Sequence, residues 1–143
     1  MRLPARQSHD LRYNTVHVPA PGHYLIAAGV TNDPSIPKVA DDLRLVTEYF
    51  TRELNYTQAL PELVDSPTSD GFRKSLSAWF RAPERHPDDR IVLYFSGHGE
   101  LDPQDNAHYL ILSDSDPEDL PGSAFETSLL AKIPFAGQAR TLM

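Results

Sequence analysis

The sequence of 143 residues contains no cysteine. This absence excludes disulfide bridges, thiolate metal sites and a cysteine nucleophile within these residues. Long apolar runs are missing as well: none approaches the roughly 20 residues of a membrane-spanning helix, and the N-terminal residues lack the apolar stretch of a secretion signal. We therefore expect no membrane partner and a cytoplasmic location.

Basic side chains are few, and they are dispersed. Thirteen Lys and Arg stand against 20 Asp and Glu, which gives a formal net charge of -7. Because phosphate backbones are bound by basic patches, no nucleic-acid partner is expected. The sequence also has no glycine-rich phosphate-binding loop, and its acidic run at residues 114–119 lacks the glycine and the terminal glutamate of a calcium loop. We assign neither a cofactor nor a metal.

The length is that of one domain with a sizeable core. Residues 1–21 are polar, contain several prolines and show no periodicity, which predicts a flexible leader. The domain is expected over residues 22–143.

The first half of the domain alternates strand and helix patterns. A buried strand is predicted over residues 23–30, and apolar residues recur at helical spacing over residues 39–54. A short strand is predicted within residues 57–65, where Pro61 favours an edge position. A second helix carries Phe72 and Trp79 on one face and begins at the capping candidates of residues 68–70.

The second half begins with a central strand at residues 91–95, where five apolar residues follow one another. A turn at residues 102–106 and a strand at residues 108–112 predict a hairpin. Ser123 and Glu126 match a capping box for a helix that ends near residue 133, and a last strand is expected from Arg140 onward. Alternating strands and helices predict a three-layer α/β/α sandwich with a mostly parallel sheet.

A histidine between two glycines follows the central strand, in the order Ser96-Gly97-His98-Gly99. Ligands of open α/β sheets bind at the carboxyl ends of the strands, and an imidazole exchanges protons near neutral pH. The two glycines allow backbone conformations that are closed to other residues. His98 is therefore the leading catalytic candidate.

The stretch from Tyr94 to Glu100, with the strand and helices that precede it, resembles the histidine motif of the caspase-like cysteine peptidases, which include the metacaspases and their bacterial relatives. The resemblance extends from His23 to the last residue and implies the large-subunit part of a caspase-like fold. It implies an endopeptidase that cleaves peptide or protein substrates with a Cys/His dyad.

The resemblance also implies roles for individual residues. His98 would protonate the leaving amine, and the Gly99 N–H would donate to the oxyanion. Asp33, in the loop after the first strand, would contribute to the pocket for the substrate residue before the cleaved bond. There it would favour Lys or Arg, as metacaspases do.

The cysteine that this mechanism needs is absent. In caspases it lies about 50 residues after the histidine, whereas only 45 residues follow His98 (143 minus 98). We therefore expect an incomplete domain that ends just before its cysteine and is inactive alone, with another segment or chain supplying the missing part.

Two other interpretations remain open. In the first, the chain is a non-catalytic caspase-like interaction module, whose binding surface does not need the missing cysteine. Alternatively, four side chains gather a divalent metal for a hydrolase, since imidazole and carboxylate groups suit zinc or manganese; these are His98, Glu100, Asp102 and His108.

Overall fold

The computed structural model describes residues 20–135 and 141–143, so the leader predicted for residues 1–21 lies almost entirely outside the described residues. The elements follow one another in the order β1 (His23–Gly29), α1 (Val39–Glu48), a π-helical turn (Tyr49–Glu53), β2 (Thr57–Ala59), a 3-10 turn (Pro61–Val64), α2 (Ser69–Arg81), β3 (Arg90–Ser96), β4 (Gly99–Asp102), β5 (Ala107–Leu110), α3 (Leu120–Ser123), β6 (Phe125–Glu126), α4 (Ser128–Phe135) and β7 (Thr141–Leu142).

A parallel sheet with the strand order β2-β1-β3-β7 forms the centre of the domain. Successive side chains of β1 point to opposite faces. Leu25 and Ala27 pack with residues of α1, whereas Ile26 and Ala28 pack with residues of α2 on the other face. Helices therefore cover both faces, and the predicted α/β sandwich with a mostly parallel sheet is confirmed.

The edges of this sheet agree with the sequence pattern in part. β2 is an edge strand, as Pro61 predicted, but it is shorter than expected because Pro61 begins a 3-10 turn after Leu60, whose φ is 51°. The strand expected from Arg140 is confirmed at Thr141–Leu142, which pairs with Arg90 and Ile91 of β3. Arg140 itself lies outside the described residues.

Helix α2 begins where the capping residues predicted it. The Thr68 hydroxyl accepts a hydrogen bond from Gly71 N at 3.1 Å, which satisfies one of the free N–H groups of the first turn. Phe72, Leu76 and Phe80 are completely or almost completely buried along the face that contacts the sheet.

The capping box predicted at Ser123 and Glu126 is wrong. Ser123 ends the short helix α3, and Glu126 pairs with Tyr109 in a strand. The Ser123 hydroxyl donates to Asp119 O instead of capping a following helix. Pairing with β5 overrides the local helix signal, and α4 begins only at residue 128.

A second, antiparallel sheet with the order β4-β5-β6 lies beside the end of β3. Its first two strands form the predicted hairpin, with Gly99 opposite Leu110 and Asp102 opposite Ala107. Within the described part of the chain, no helix is long and apolar enough to cross a bilayer.

Candidate active site

The site is built where β1 and β3 end together. The two strands are in register along their whole length, so Gly29 lies opposite Ser96, and Val30 N donates to Ser96 O at 3.2 Å. The loops that leave these strands are consequently adjacent. One carries Asp33 and the other carries His98.

Gly29 makes this close approach possible. A Cβ atom at this position would lie 2.6 Å from Ser96 O and 2.8 Å from Leu43 Cδ1. Any side chain here would therefore push β1 away from β3 or from helix α1.

The two glycines next to His98 do not adopt the special backbone conformations that the sequence analysis predicted for them. No described glycine has a positive φ, so the turn from β3 into β4 needs no conformation that is reserved for glycine. The ring of Phe95 leaves no room for a side chain at Gly97, since a Cβ there would lie 2.8 Å from Phe95 Cζ. At Gly99 a Cβ would make an ordinary contact of 3.5 Å with Tyr109 O.

The imidazole of His98 contacts the loop that follows β1. Its Nε2 atom lies 3.0 Å from Ser35 Oγ and 3.5 Å from Asp33 Oδ2. The His98 side chain is 49% exposed and that of Asp33 is 31% exposed. The structure therefore brings together two of the residues that the sequence singled out, with the imidazole open to solvent.

Asp33 and Ser35 form a local turn. Asp33 Oδ1 accepts hydrogen bonds from Ser35 N at 2.8 Å and from Ser35 Oγ at 2.7 Å, as short polar side chains do in Asx turns. The Ser35 hydroxyl and then the Ser35 N–H lower the pKa of Asp33, with a smaller contribution from the charge of His98, while desolvation opposes the shift. Asp33 is therefore a carboxylate at neutral pH.

Ser35 is the site residue that the sequence interpretation missed. It is the second residue after Asp33 in the order Asp33-Pro34-Ser35, directly after a buried strand. That spacing is typical of an Asx turn, so the sequence alone could have predicted the contact between Ser35 and Asp33. Contact with His98 depends on the register of β1 and β3, which the sequence does not specify.

A pocket of about 370 Å³ opens next to these side chains. It lies between the loop after β1 and the segment that follows β5. Its lining includes the Asp33 carboxylate, the His98 imidazole and several polar side chains. The pocket is formed by Val30, Asn32, Asp33, Pro34, Ile36, His98, Ile111, Leu112, Ser113 and Ser115.

The N–H of Gly99 faces away from the hairpin. Ile111 N donates to His98 O at 2.9 Å, which makes Gly99 and Leu110 a non-hydrogen-bonded pair of the antiparallel ladder. The Gly99 N–H therefore points away from β5, toward the outer side of β4, which is an edge strand among the described residues. A main-chain donor is thus available one residue from the imidazole.

The acidic run at residues 114–119 takes part in local structure. Asp114 Oδ1 accepts from Ser69 N at the start of α2, and Asp119 Oδ1 accepts from Gly122 N at the start of α3. Asp116 accepts from Glu118 N. Of this run, Ser115 alone is among the residues that line the pocket.

The four residues of the metal-hydrolase interpretation do not gather. Glu100 and Asp102 alternate with Leu101 along β4, and His108 lies opposite Leu101, so His108 shares the face that the two carboxylates avoid. Within residues 20–135 and 141–143, no group of three His, Asp or Glu side chains is arranged to hold a metal ion.

Comparison with family models identifies the family of the chain. The model of the caspase domain matches residues 31–136, which is well over half of the chain and includes His98. The chain belongs to the caspase-domain family. A comparison with curated proteins gave no match. Membership confirms the resemblance drawn from the histidine motif and supports a peptidase-type function at the level of the family.

Proposed function

We propose that this caspase-domain chain carries the histidine side of a cysteine endopeptidase site. The observation that carries the proposal is the position of His98, which follows the central strand β3 and lines an open pocket. In peptide hydrolysis by a thiol, the thiolate attacks the scissile carbonyl, main-chain N–H groups stabilise the oxyanion, and an imidazole protonates the leaving amine. His98 is the proton donor in this scheme.

Gly99 supplies one oxyanion donor. Its N–H points to the outer side of β4 instead of pairing with β5. A donor that is already oriented in the ground state costs no reorganisation when the negative charge develops.

Asp33 binds the substrate residue before the cleaved bond. Its carboxylate lines the same pocket as His98, and its pKa is lowered by the hydrogen bonds of Ser35. A negative charge here favours Lys or Arg in the substrate, a preference of the metacaspase type. An aspartate in that position would be repelled.

The nucleophilic thiol comes from outside these 143 residues, which contain no cysteine. A further segment or a separate chain supplies it. Support comes from β7, which runs parallel to β3 with Leu142 opposite Ile91. A strand that continued in this register would reach the level of Ser96, next to the His98 loop. We also propose a cytoplasmic setting, where a thiol stays reduced.

The test supplies the missing thiol. The chain is extended beyond Met143 by a caspase-type small-subunit segment with its cysteine, and reporter peptides with Arg, Lys or Asp before the cleaved bond are assayed. We expect thiol-dependent cleavage after Arg or Lys, and a loss of about four orders of magnitude in His98→Ala. The unextended chain should show no cleavage.

The matched control is His108→Ala, which removes another exposed imidazole from the adjoining hairpin and should leave activity intact. A folded extended protein that stays inert, or cleavage that survives His98→Ala, would overturn the catalytic assignment.

The absence of cysteine favours one alternative, a non-catalytic interaction module that retains the caspase fold. This interpretation predicts that the folded extended protein is inert and that His98→Ala leaves partner binding unchanged.

A further inference from the structure

The hydroxyl of Ser35 lies between the carboxylate of Asp33 and the imidazole of His98. Ser35 Oγ lies 2.7 Å from Asp33 Oδ1 and 3.0 Å from His98 Nε2. An ionised carboxylate only accepts hydrogen bonds, whereas a hydroxyl both donates and accepts. The Ser35 proton therefore goes to Asp33, and toward His98 the same oxygen acts as an acceptor.

An acceptor at this position requires a proton on His98 Nε2. In a neutral imidazole one nitrogen carries the proton and the other is a bare acceptor. With Nε2–H donating to Ser35 Oγ, Nδ1 is the bare nitrogen. Asp33 Oδ2, which lies 3.5 Å from the same Nε2, adds a negative charge on that side of the ring.

We propose that Ser35 and Asp33 act as a positioning pair, which holds His98 through its Nε2–H and leaves Nδ1 as the nitrogen that exchanges protons during catalysis. The catalytic part of this inference rests on the proposed function. In that reaction the thiol S–H proton first moves to Nδ1, and the resulting thiolate attacks the carbonyl carbon. The Nδ1–H proton then moves to the leaving nitrogen as the C–N bond breaks.

The geometry of the loop explains how the exposed Ser35 and the half-buried Asp33 can orient the ring. The backbone of Ser35 is held by its own N–H, which donates to Asp33 Oδ1 at 2.8 Å. Ile36 N donates to Asp33 O at 3.2 Å and closes the turn. The hydroxyl is therefore presented to His98 by a hydrogen-bonded turn, in the way that a third group orients the base of a catalytic triad.

The test needs no peptidase activity. The imidazole of His98 is observed by NMR in the full 15N-labelled chain at about pH 8, where ordinary imidazoles are neutral, and is assigned with His98→Gln. We expect the Nε2–H tautomer in the native chain. In Ser35→Ala we expect the exchange of the Nε2–H proton with water to become about fivefold faster, because its acceptor is gone.

Two variants serve as controls. Ser35→Thr retains a hydroxyl and should restore slow exchange, whereas Ser113→Ala removes a hydroxyl from the other side of the same pocket and should leave the exchange rate unchanged. Backbone spectra verify that each variant is folded.

An Nδ1–H tautomer in the native chain would overturn the proposal, and so would an Nε2–H exchange rate that Ser35→Ala does not change. These outcomes are separate from those of the activity test. The expected NMR result together with an inert extended protein would refute the peptidase function and leave the positioning pair in place.

Discussion

At the scale of single residues, the side chain of Asp33 is defined by its contacts with Ser35 and His98. Two hydrogen bonds from Ser35 reach one carboxylate oxygen, and the imidazole faces the other. All of these contacts favour the ionised form, so the pKa of Asp33 lies below its usual value of 3.8. The ionised carboxylate is therefore a permanent feature of the pocket at neutral pH.

This shift gives a testable pH dependence. Because the folded pKa of Asp33 is lowered, its ionisation stabilises the fold above the unfolded pKa, and this contribution is lost as the pH falls through the folded pKa. Ser35→Ala removes the largest cause of the shift, so the pKa of Asp33 should rise toward its usual value. Carboxyl 13C titration by NMR measures both values.

Ser115→Ala is the matched control for this titration. Its hydroxyl lines the same pocket but accepts from Leu112 N instead of contacting Asp33. An Asp33 titration that is the same in the native chain and in Ser35→Ala would contradict the prediction.

At the scale of elements, the contact between β1 and β3 sets the position of the site. Seven residue pairs join these strands, and the last pair is Gly29 with Ser96. The strands end at the same level, which brings the Asp33 loop to the His98 loop. The absence of a side chain at Gly29 is part of this contact, because a Cβ there would lie 2.6 Å from Ser96 O.

Two glycines next to the site should therefore respond differently to alanine. Gly29→Ala should lower the free energy of unfolding by about 1–3 kcal/mol, because the added methyl group overpacks the contact between β1 and β3. Gly99→Ala should change it by less than about 0.5 kcal/mol, since its Cβ meets Tyr109 O at an ordinary 3.5 Å. Urea denaturation followed by circular dichroism measures both. Equal losses in the two variants would show that steric contact at Gly29 is not the cause.

At the scale of the whole molecule, a buried carboxylate joins the beginnings of the two central strands. Asp89 is 1% exposed. Its Oδ1 accepts from Gly22 N at 2.7 Å, and its Oδ2 accepts from His86 N at 3.0 Å. Arg85 lies 3.8 Å from Asp89 Oδ2, and its guanidinium lies over the rings of Tyr24 and Trp79. This cluster ties the segment before β1 to the segment before β3.

Removing this carboxylate should destabilise the entire domain. Asp89→Ala leaves two N–H groups without their acceptor and a nearly buried guanidinium without its counter-charge, so the free energy of unfolding should fall by about 3 kcal/mol. The neighbouring Asp88, whose side chain is 65% exposed, provides the control, and Asp88→Ala should have little effect. Chemical denaturation measures both variants, and a loss below about 1 kcal/mol in Asp89→Ala would count against the role of this cluster.

The sequence determined the fold class, the central strand and the position of His98 at its carboxyl end. Those features depend on local patterns, namely runs of apolar residues, helical spacing and the helix cap at Thr68. Where two local signals competed, the sequence was insufficient. The capping box at Ser123 failed because Glu126 pairs with Tyr109, 17 residues earlier in the chain (126 minus 109).

Only the tertiary structure decided which residues surround His98. Ser35 and His98 are 63 residues apart, and their contact follows from the in-register pairing of β1 and β3. The pairing of β4 with β5 turned the Gly99 N–H toward the outer side of β4. The same pairing placed His108 on the face of the hairpin opposite to the carboxylates of β4. The physical reason is that side-chain type and spacing specify what an element buries, whereas the distance between two loops depends on how the strands before them are paired.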